Sequence, residues 1–319
     1  MYYLNRKIFL VTTLLVGLPA IPSIAADLVI AMPNWPSGQA SANIMKVVIK
    51  DQLGIDAKVE EMGTLIAFAG LETGAVDVHP EIWRPNLDNL VKKYVDEEKK
   101  IALSPKSMPA WQGICATRAA VETVGIRDIN DLNDPEKTAK LDTNGDGKGE
   151  MWVGASSWSM TPIEKIRANS YGYSKNLDLL ETSEEVGMAA VDAAEAIGQP
   201  MVFACYAPHY VFELHDIQRL TEPEHDASQW RIIFPTEDPA WFTKSIARTA
   251  WSKGQVQIGY AASLEKRYPD VVKVLNKIDF TPEEASQMAY ALEVEKRKPY
   301  DYAVNWVASH KDRIKGWVQ

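Results

Sequence analysis

The apolar run Leu28-Val29-Ile30-Ala31-Met32 stops abruptly at Pro33-Asn34-Trp35-Pro36-Ser37-Gly38. A short continuous apolar segment bounded by such breakers predicts a buried strand. Apolar positions Ile44, Val47, Val48 and Leu53 then recur at helical spacing up to Gly54, so a helix follows. The same alternation continues with a strand over 57–62, a helix over 64–72, a strand over 76–80 that opens into a loop bearing Trp83, and a charged amphipathic helix over 86–99. Further strands are predicted at 114–117, 152–155 and 200–205, with helices at 162–170 and 184–197. From residue 240 onward the pattern reads as helical, over 253–268, 271–277, 282–296 and 301–312. Strand and helix in alternation predict an α/β fold with a mostly parallel sheet. The late helices have no strands of their own to cover, so the chain is expected to return to its first domain.

The first 25 residues have a different pattern. Arg6 and Lys7 precede an apolar run over 8–18, and Ser23-Ile24-Ala25 supplies a small-x-small cleavage signal. The run falls short of the roughly 20 residues that span a bilayer. A signal peptide cleaved after about Ala25 and a periplasmic location are therefore expected. At 319 residues the prior is two domains, at roughly 150 residues each, and composition shifts near 109–113.

The formal net charge of −9 argues against nucleic acid or an anionic membrane surface as partner. Cys115 and Cys205 stand 90 positions apart. In an oxidising compartment they could pair, or they could be two buried strand cysteines, and sequence leaves both open.

No GxSxG, HExxH or phosphate-cradling glycine loop is present, and the five histidines lack metal spacing. The segment Asp142-Thr143-Asn144-Gly145-Asp146-Gly147 places oxygen donors at alternate positions before a glycine, like the first half of a calcium loop. The twelfth position is Val153 rather than an acid, so Asp142, Asn144, Asp146 and Glu150 are the candidate ligands of a structural Ca2+. A plain Asx-turn loop is the other reading. No cofactor is otherwise required.

Ten tryptophans change the picture most. Trp35, Trp83, Trp111, Trp158 and Trp241 all lie beside Gly, Pro or Ser, in segments expected to be loops at strand exits, where open α/β sheets bind ligands. A methylated ammonium or sulfonium head has no donor hydrogen on its heteroatom, so aromatic faces must recognise it.

The stretches LETGAVDVHPEIWRPNLDNL, KLDTNGDGKGEMWVGASSW, GQPMVFACYAPHYV and AVNWVASHKDRIKGWV together resemble the substrate-binding proteins of glycine betaine/proline betaine-type ABC importers. The resemblance implies a two-lobed periplasmic binding protein of type II-like architecture, each lobe a mostly parallel sheet flanked by helices. It implies lobe 1 over 26–112, lobe 2 over 113–238 and a return to lobe 1 over 239–319, with crossings near 110–118 and 235–243. It further implies cage rings at Trp83, Trp158 and Tyr206, and backbone amides of Ser159 and Met160 on the ligand's anionic end. Trp35 and Trp111 are added as expected extra walls. A histidine that assists some members falls on Leu87, a departure that leaves room for trimethylamine N-oxide or dimethylsulfoniopropionate beside glycine betaine and choline. The expected protein is a non-enzymatic monomer that hands a small methylated zwitterion or cation to an inner-membrane permease. Two other readings are a sugar receptor using the same tryptophans for stacking, and a secreted hydrolase using Glu81 and Glu164.

Overall fold

The computed structural model describes residues 28–235 and 237–319, so the expected signal segment 1–25 lies outside them. Apolar β1 (Leu28–Met32) pairs in parallel with β2 (Ala57–Glu61) and with β3 (Val78–Arg84). Between β1 and β2 runs α1 (Pro36–Leu53), started by a proline in its first turn and ended by Gly54 in the left-handed conformation. Between β2 and β3 runs α2 (Thr64–Thr73). A second parallel group is formed by β5 (Gly149–Gly154), β6 (Leu177–Glu181) and β7 (Val202–Ala207), with β5 in the middle.

Two long antiparallel strands join the groups. β4 spans Ile101–Ala116 and β11 spans Gly254–Ala261. The order β2-β1-β3-β11-β4-β7-β5-β6 describes one continuous path, with β8 (Gln218–Arg219) beside β4. β4 changes partner along its length: residues 101–110 pair with β11, and residues 111–116 pair with β7. It is thus the first crossing between two lobes. A minor pair, β9 (Trp230–Arg231) and β10 (Ile246–Ala247), belongs to the second lobe, and Trp251 packs in that lobe's apolar core. The second crossing accordingly falls just before Gly254, later than residues 235–243.

Three expectations of secondary structure need correction. Residues 254–261 form a strand, not the start of a helix over 253–268, and they give the returning chain a strand in lobe 1. Gln255, Val256, Gln257 and Ile258 alternate polar and apolar, the period of a strand. Residues 101–113 are also strand, hidden by Pro105 and Pro109. Leu103 pairs with Gly259 and Ser107 with Gln257, so Pro105 sits in a bulge where no ladder donor is needed. Trp83, placed in a loop by the pattern, belongs to β3.

The helices Pro269–Leu275, Pro282–Glu293, Pro299–Ser309 and Lys311–Val318 cover lobe 1, burying α1 against Tyr302, Trp306 and Met288. The helices Met160–Tyr171 and Glu184–Ile197 cover lobe 2. Cys115 and Cys205 form a disulfide across the β4–β7 pair, with Cα atoms 5.7 Å apart. No helix among the described residues is long and apolar enough to cross a membrane.

Candidate functional site

Between the lobes lies a small cavity lined by Trp35, Trp83, Asn86, Gln112, Trp158, Ser159, Met160 and Tyr206. Each ring arrives by a different route. Trp35 is the residue before α1, and Gly38 lets its indole lie close, since a Cβ there would stand 2.7 Å from Nε1. Trp83 ends β3 and Tyr206 ends β7. Trp158 sits in the turn after β5, where Gly154 at φ +107° makes room for Thr161 and for the indole.

The rings meet edge to face. Trp83 and Tyr206 have centroids 5.1 Å apart at 79°, Trp158 and Tyr206 5.9 Å at 78°, and Trp35 and Trp158 6.2 Å at 88°. Trp152 backs Trp158 at 5.7 Å. Trp35, Trp83, Trp158 and Tyr206 are all buried, none more than 8% exposed.

Their polar atoms are tied down outside the cavity. The indole N–H of Trp35 donates to Glu81 Oε2 at 2.6 Å, and that of Trp83 to the same oxygen at 3.4 Å. Trp158 donates to Asn34 Oδ1 at 2.9 Å, across the lobe boundary. The Tyr206 hydroxyl donates to Glu184, whose Oε1 also meets His209 Nε2 at 2.9 Å. Buried Tyr and Trp ordinarily need such partners, and satisfying them from behind leaves the ring faces for the cavity.

Burial raises the Glu81 carboxyl above its usual range, against the hydrogen bonds from Trp35, Ser37, Ser41 and Trp83. His79, on the same strand, is pushed down to about 4 by burial. Burial, then the charge of Glu184, raises the Tyr206 phenol.

One wall is polar. Asn86 and Gln112 exchange side-chain amide hydrogen bonds of 2.9 and 2.6 Å, and Asn86 Nδ2 also reaches Ser159 Oγ at 3.3 Å. Ser159 stands at the N-terminus of the helix Met160–Tyr171 and makes no side-chain cap. First-turn amides of a helix have no intrahelical acceptor, and they carry the positive end of the helix dipole. The cavity therefore has an aromatic side and a donor side, with no cationic side chain among its described lining residues.

The structure thus brings Trp35, Trp83, Trp158, Ser159, Met160 and Tyr206 onto one cavity and leaves Trp111 out. Gln112 faces the cavity, so its strand neighbour Trp111 points to the opposite face, against Phe212 at 5.3 Å and under the Arg219 guanidinium at 4.8 Å. Trp241 lies on a separate groove with Leu65 and Pro162. Leu87, where a histidine was sought, is buried in apolar surroundings.

Asn34, Asn86, Gln112 and Glu184 were missed. For Glu81 a signal existed, because His79, Glu81 and Trp83 share one face of a strand of period two.

Glu81 and Glu164 do not form a catalytic pair. Glu81 is held in lobe 1, whereas Glu164 in lobe 2 accepts from Arg167 Nε at 3.1 Å and Trp251 Nε1 at 2.6 Å. His215 lies apart from His209 and meets Asp192 at 2.7 Å.

The Asp142 loop turns its oxygens on its own backbone. Asp142 Oδ1 accepts from Asn144 and Gly145 N–H and Oδ2 from Gly147 N–H, at 3.1, 2.6 and 2.8 Å. Asn144 Oδ1 and Asp146 Oδ1 each accept from the amide two residues on, and Glu150 Oε2 is bound by Thr143. These are Asx turns. No group of three or more acidic, His or Cys side chains suited to a metal occurs among the described residues.

Comparison with known proteins agrees with this architecture. Residues 26–309 match the family described as the substrate binding domain of ABC-type glycine betaine transport systems. A glycine betaine/proline betaine-binding periplasmic protein of Salmonella typhimurium is 20% identical over 272 residues, covering 82% of this chain and 80% of that protein. An ABC-transporter choline-binding protein solved with choline superposes with a TM-score of 0.71 at 16% identity, over 91% of this chain and 90% of that one. Lactococcal OpuAC in its closed form with glycine betaine gives 0.67 at 21% identity, over 92% and 99%. With a family match over nearly its whole length and the two-lobed fold, the chain belongs to the substrate-binding proteins of glycine betaine-type ABC transporters and is not an enzyme.

Proposed function

We propose that the protein captures a small methylated onium osmolyte between its lobes and delivers it to an inner-membrane ABC permease. Glycine betaine, choline, trimethylamine N-oxide and dimethylsulfoniopropionate share the required head. One observation carries the reading: four aromatic rings line one cavity with every ring N–H or O–H bonded away from it. Each desolvated ring face contributes roughly 0.5–2 kcal/mol to a cation.

The donor wall accommodates the other end of a zwitterion. Ser159 and Met160 amides at a helix N-terminus suit a carboxylate or N-oxide oxygen, and Asn86 and Gln112 adjust to a hydroxyl or an anion. Trp35 and Trp83 come from one lobe, Trp158 and Tyr206 from the other. A ligand that needs all four rings stabilises the closed arrangement selectively. A sugar would need side-chain partners for many hydroxyls, yet Asn86 and Gln112 are largely engaged with each other. The structural Ca2+ reading is not needed for this activity.

Calorimetric titration with glycine betaine, choline, trimethylamine N-oxide, dimethylsulfoniopropionate and maltose tests the proposal. Saturable heat with at least one onium and none with maltose is expected. Binding of maltose alone overturns it.

A further inference from the structure

Glu81 stands behind the cage rather than in it, and it accepts hydrogen bonds from both first-lobe rings. Its Oε2 accepts from Trp35 Nε1, Trp83 Nε1 and Ser37 Oγ, and its Oε1 from Ser41 Oγ at 3.1 Å. Three donors thus converge on Oε2 and one on Oε1, and a charged oxygen accepts such bonds about twice as strongly as a neutral one. Indole N–H groups cannot accept. A proton on Oε1 would meet the Ser41 hydroxyl, which can accept it, so protonation keeps both ring contacts but removes the charge that strengthens them.

We propose that ionised Glu81 is a positioning residue that fixes Trp35 and Trp83 together and supplies the counter-charge for the onium head, so that capture is coupled to its ionisation. The inference rests on the onium reading above. Binding a cation next to these rings favours the charged form of Glu81, so affinity rises with pH until Glu81 is ionised, and binding below that point releases a proton.

A second observation supplies the route. Glu81 does not line the cage cavity but lines a second one, of about 130 Å3, with Ser41, Lys106, Gln257, Asp279 and Met288 among others. The carboxyl can therefore exchange protons without the ligand leaving.

The charged and titratable neighbours are few. On β3 itself, His79 accepts the Glu81 backbone N–H through Nδ1 at 3.2 Å, and burial holds it near 4, so it stays neutral above that. From β4 comes Lys106 and from the segment before the helix Pro282–Glu293 comes Asp279. From lobe 2, Tyr206 stands between Glu81 and the Glu184–His209 pair. α1 contributes only Ser37 and Ser41. Burial raises the carboxyl above the ordinary value of 4.5, so it titrates above the range of exposed acids.

Choline serves as probe because it has no group that titrates in this range. Its affinity for the intact protein, for Glu81→Gln and for Glu81→Asp is measured by calorimetry from about pH 4.5 to about pH 8, in buffers of different ionisation enthalpy. For the native protein we expect affinity to fall by up to tenfold per pH unit on the acid side, with up to one proton released per choline. Glu81→Gln should bind at least tenfold more weakly at pH 8 and show no such slope. Glu81→Asp should keep the slope at reduced affinity. A flat native profile overturns the inference, as does Glu81→Gln binding within twofold of native or retaining the native slope. Should Glu81→Gln fail to fold, proton release by the native protein decides. If none of choline, glycine betaine, trimethylamine N-oxide and dimethylsulfoniopropionate binds native protein at pH 8, the onium reading itself fails, and this inference with it.

Discussion

Trp158 donates its indole N–H to the side-chain oxygen of Asn34, 124 residues away and on the other lobe, at 2.9 Å. Asn34 Nδ2 in turn donates to Ser157 Oγ at 3.0 Å. One amide thus orients a cage ring and bridges the lobes at the same time. Asn34→Ala removes a bond that exists only when the lobes are together. At about 1 kcal/mol for a buried hydrogen bond, the dissociation constant for the best onium should rise roughly fivefold, with unfolding unchanged. Calorimetry beside a thermal melt checks both halves.

Trp83→Ala and Trp158→Ala should each weaken onium binding by about tenfold or more, since each loses a cation-facing ring. Trp111→Ala should leave affinity within about twofold. Its ring packs on Phe212 and Arg219, outside the cavity. Circular dichroism must show all three folded. Equal losses from all three would place the ligand elsewhere.

Trp111 also shows where sequence stops being legible. Its Pro, Ala and Gly neighbours resembled those of Trp158, and only the register of β4 against β7, with Gln112 opposite Tyr206, decides which residue faces the ligand. Local pattern found β1, α1, β2, α2 and the later helices because their apolar periods are unbroken. It lost residues 101–113 to two prolines in a bulged strand, and β11 to a short alternating run beside helical segments. The cage rings could be nominated from their neighbours and the family resemblance. Their supports could not, because Asn34 with Trp158 and Asn86 with Gln112 are bonds between segments remote in the chain.

The Cys115–Cys205 bridge closes a separation of 90 residues and fastens the lobe-2 end of β4 to β7, the strand that ends at Tyr206. In the chain-entropy account a loop near this length stabilises by about 4–5 kcal/mol, and measured values are commonly 2–4. The double variant Cys115→Ala, Cys205→Ala should melt roughly 5–15 °C lower. Onium affinity at 25 °C should change little, because neither sulfur lines the cavity. A melt unchanged within about 2 °C would contradict the bridge.

Chelation offers a direct check on the Asp142 loop. Its carboxylates already accept backbone N–H groups from Gly145 and Gly147, which hold the Asp142 carboxyl below its usual range. A loop stabilised by its own Asx turns should melt at the same temperature with and without EDTA. A calcium-dependent rise would instead support the metal reading, because a ligand bound only by the folded state raises its stability.

Arg167 is wholly buried between Glu164 and Glu222 and also donates to the carbonyl of Thr249, tying the helix Met160–Tyr171, whose first residue lines the cavity, to the segment that leads into β11. Burial would lower its basicity, but the two carboxylates raise it beyond the ordinary arginine value. Burial likewise raises Glu164, with Arg167 opposing. Arg167→Met leaves two buried acids without a counter-charge, a change that typically costs about 3–5 kcal/mol. The sign of its pH dependence is fixed. Acids whose folded pKa lies above the unfolded value bind more protons when folded, so stability increases as pH falls through the folded pKa. Urea titrations should therefore show the variant's deficit largest at neutral and alkaline pH and shrinking on mild acidification. A deficit independent of pH would mean that lost packing, rather than unpaired charge, destabilises the variant.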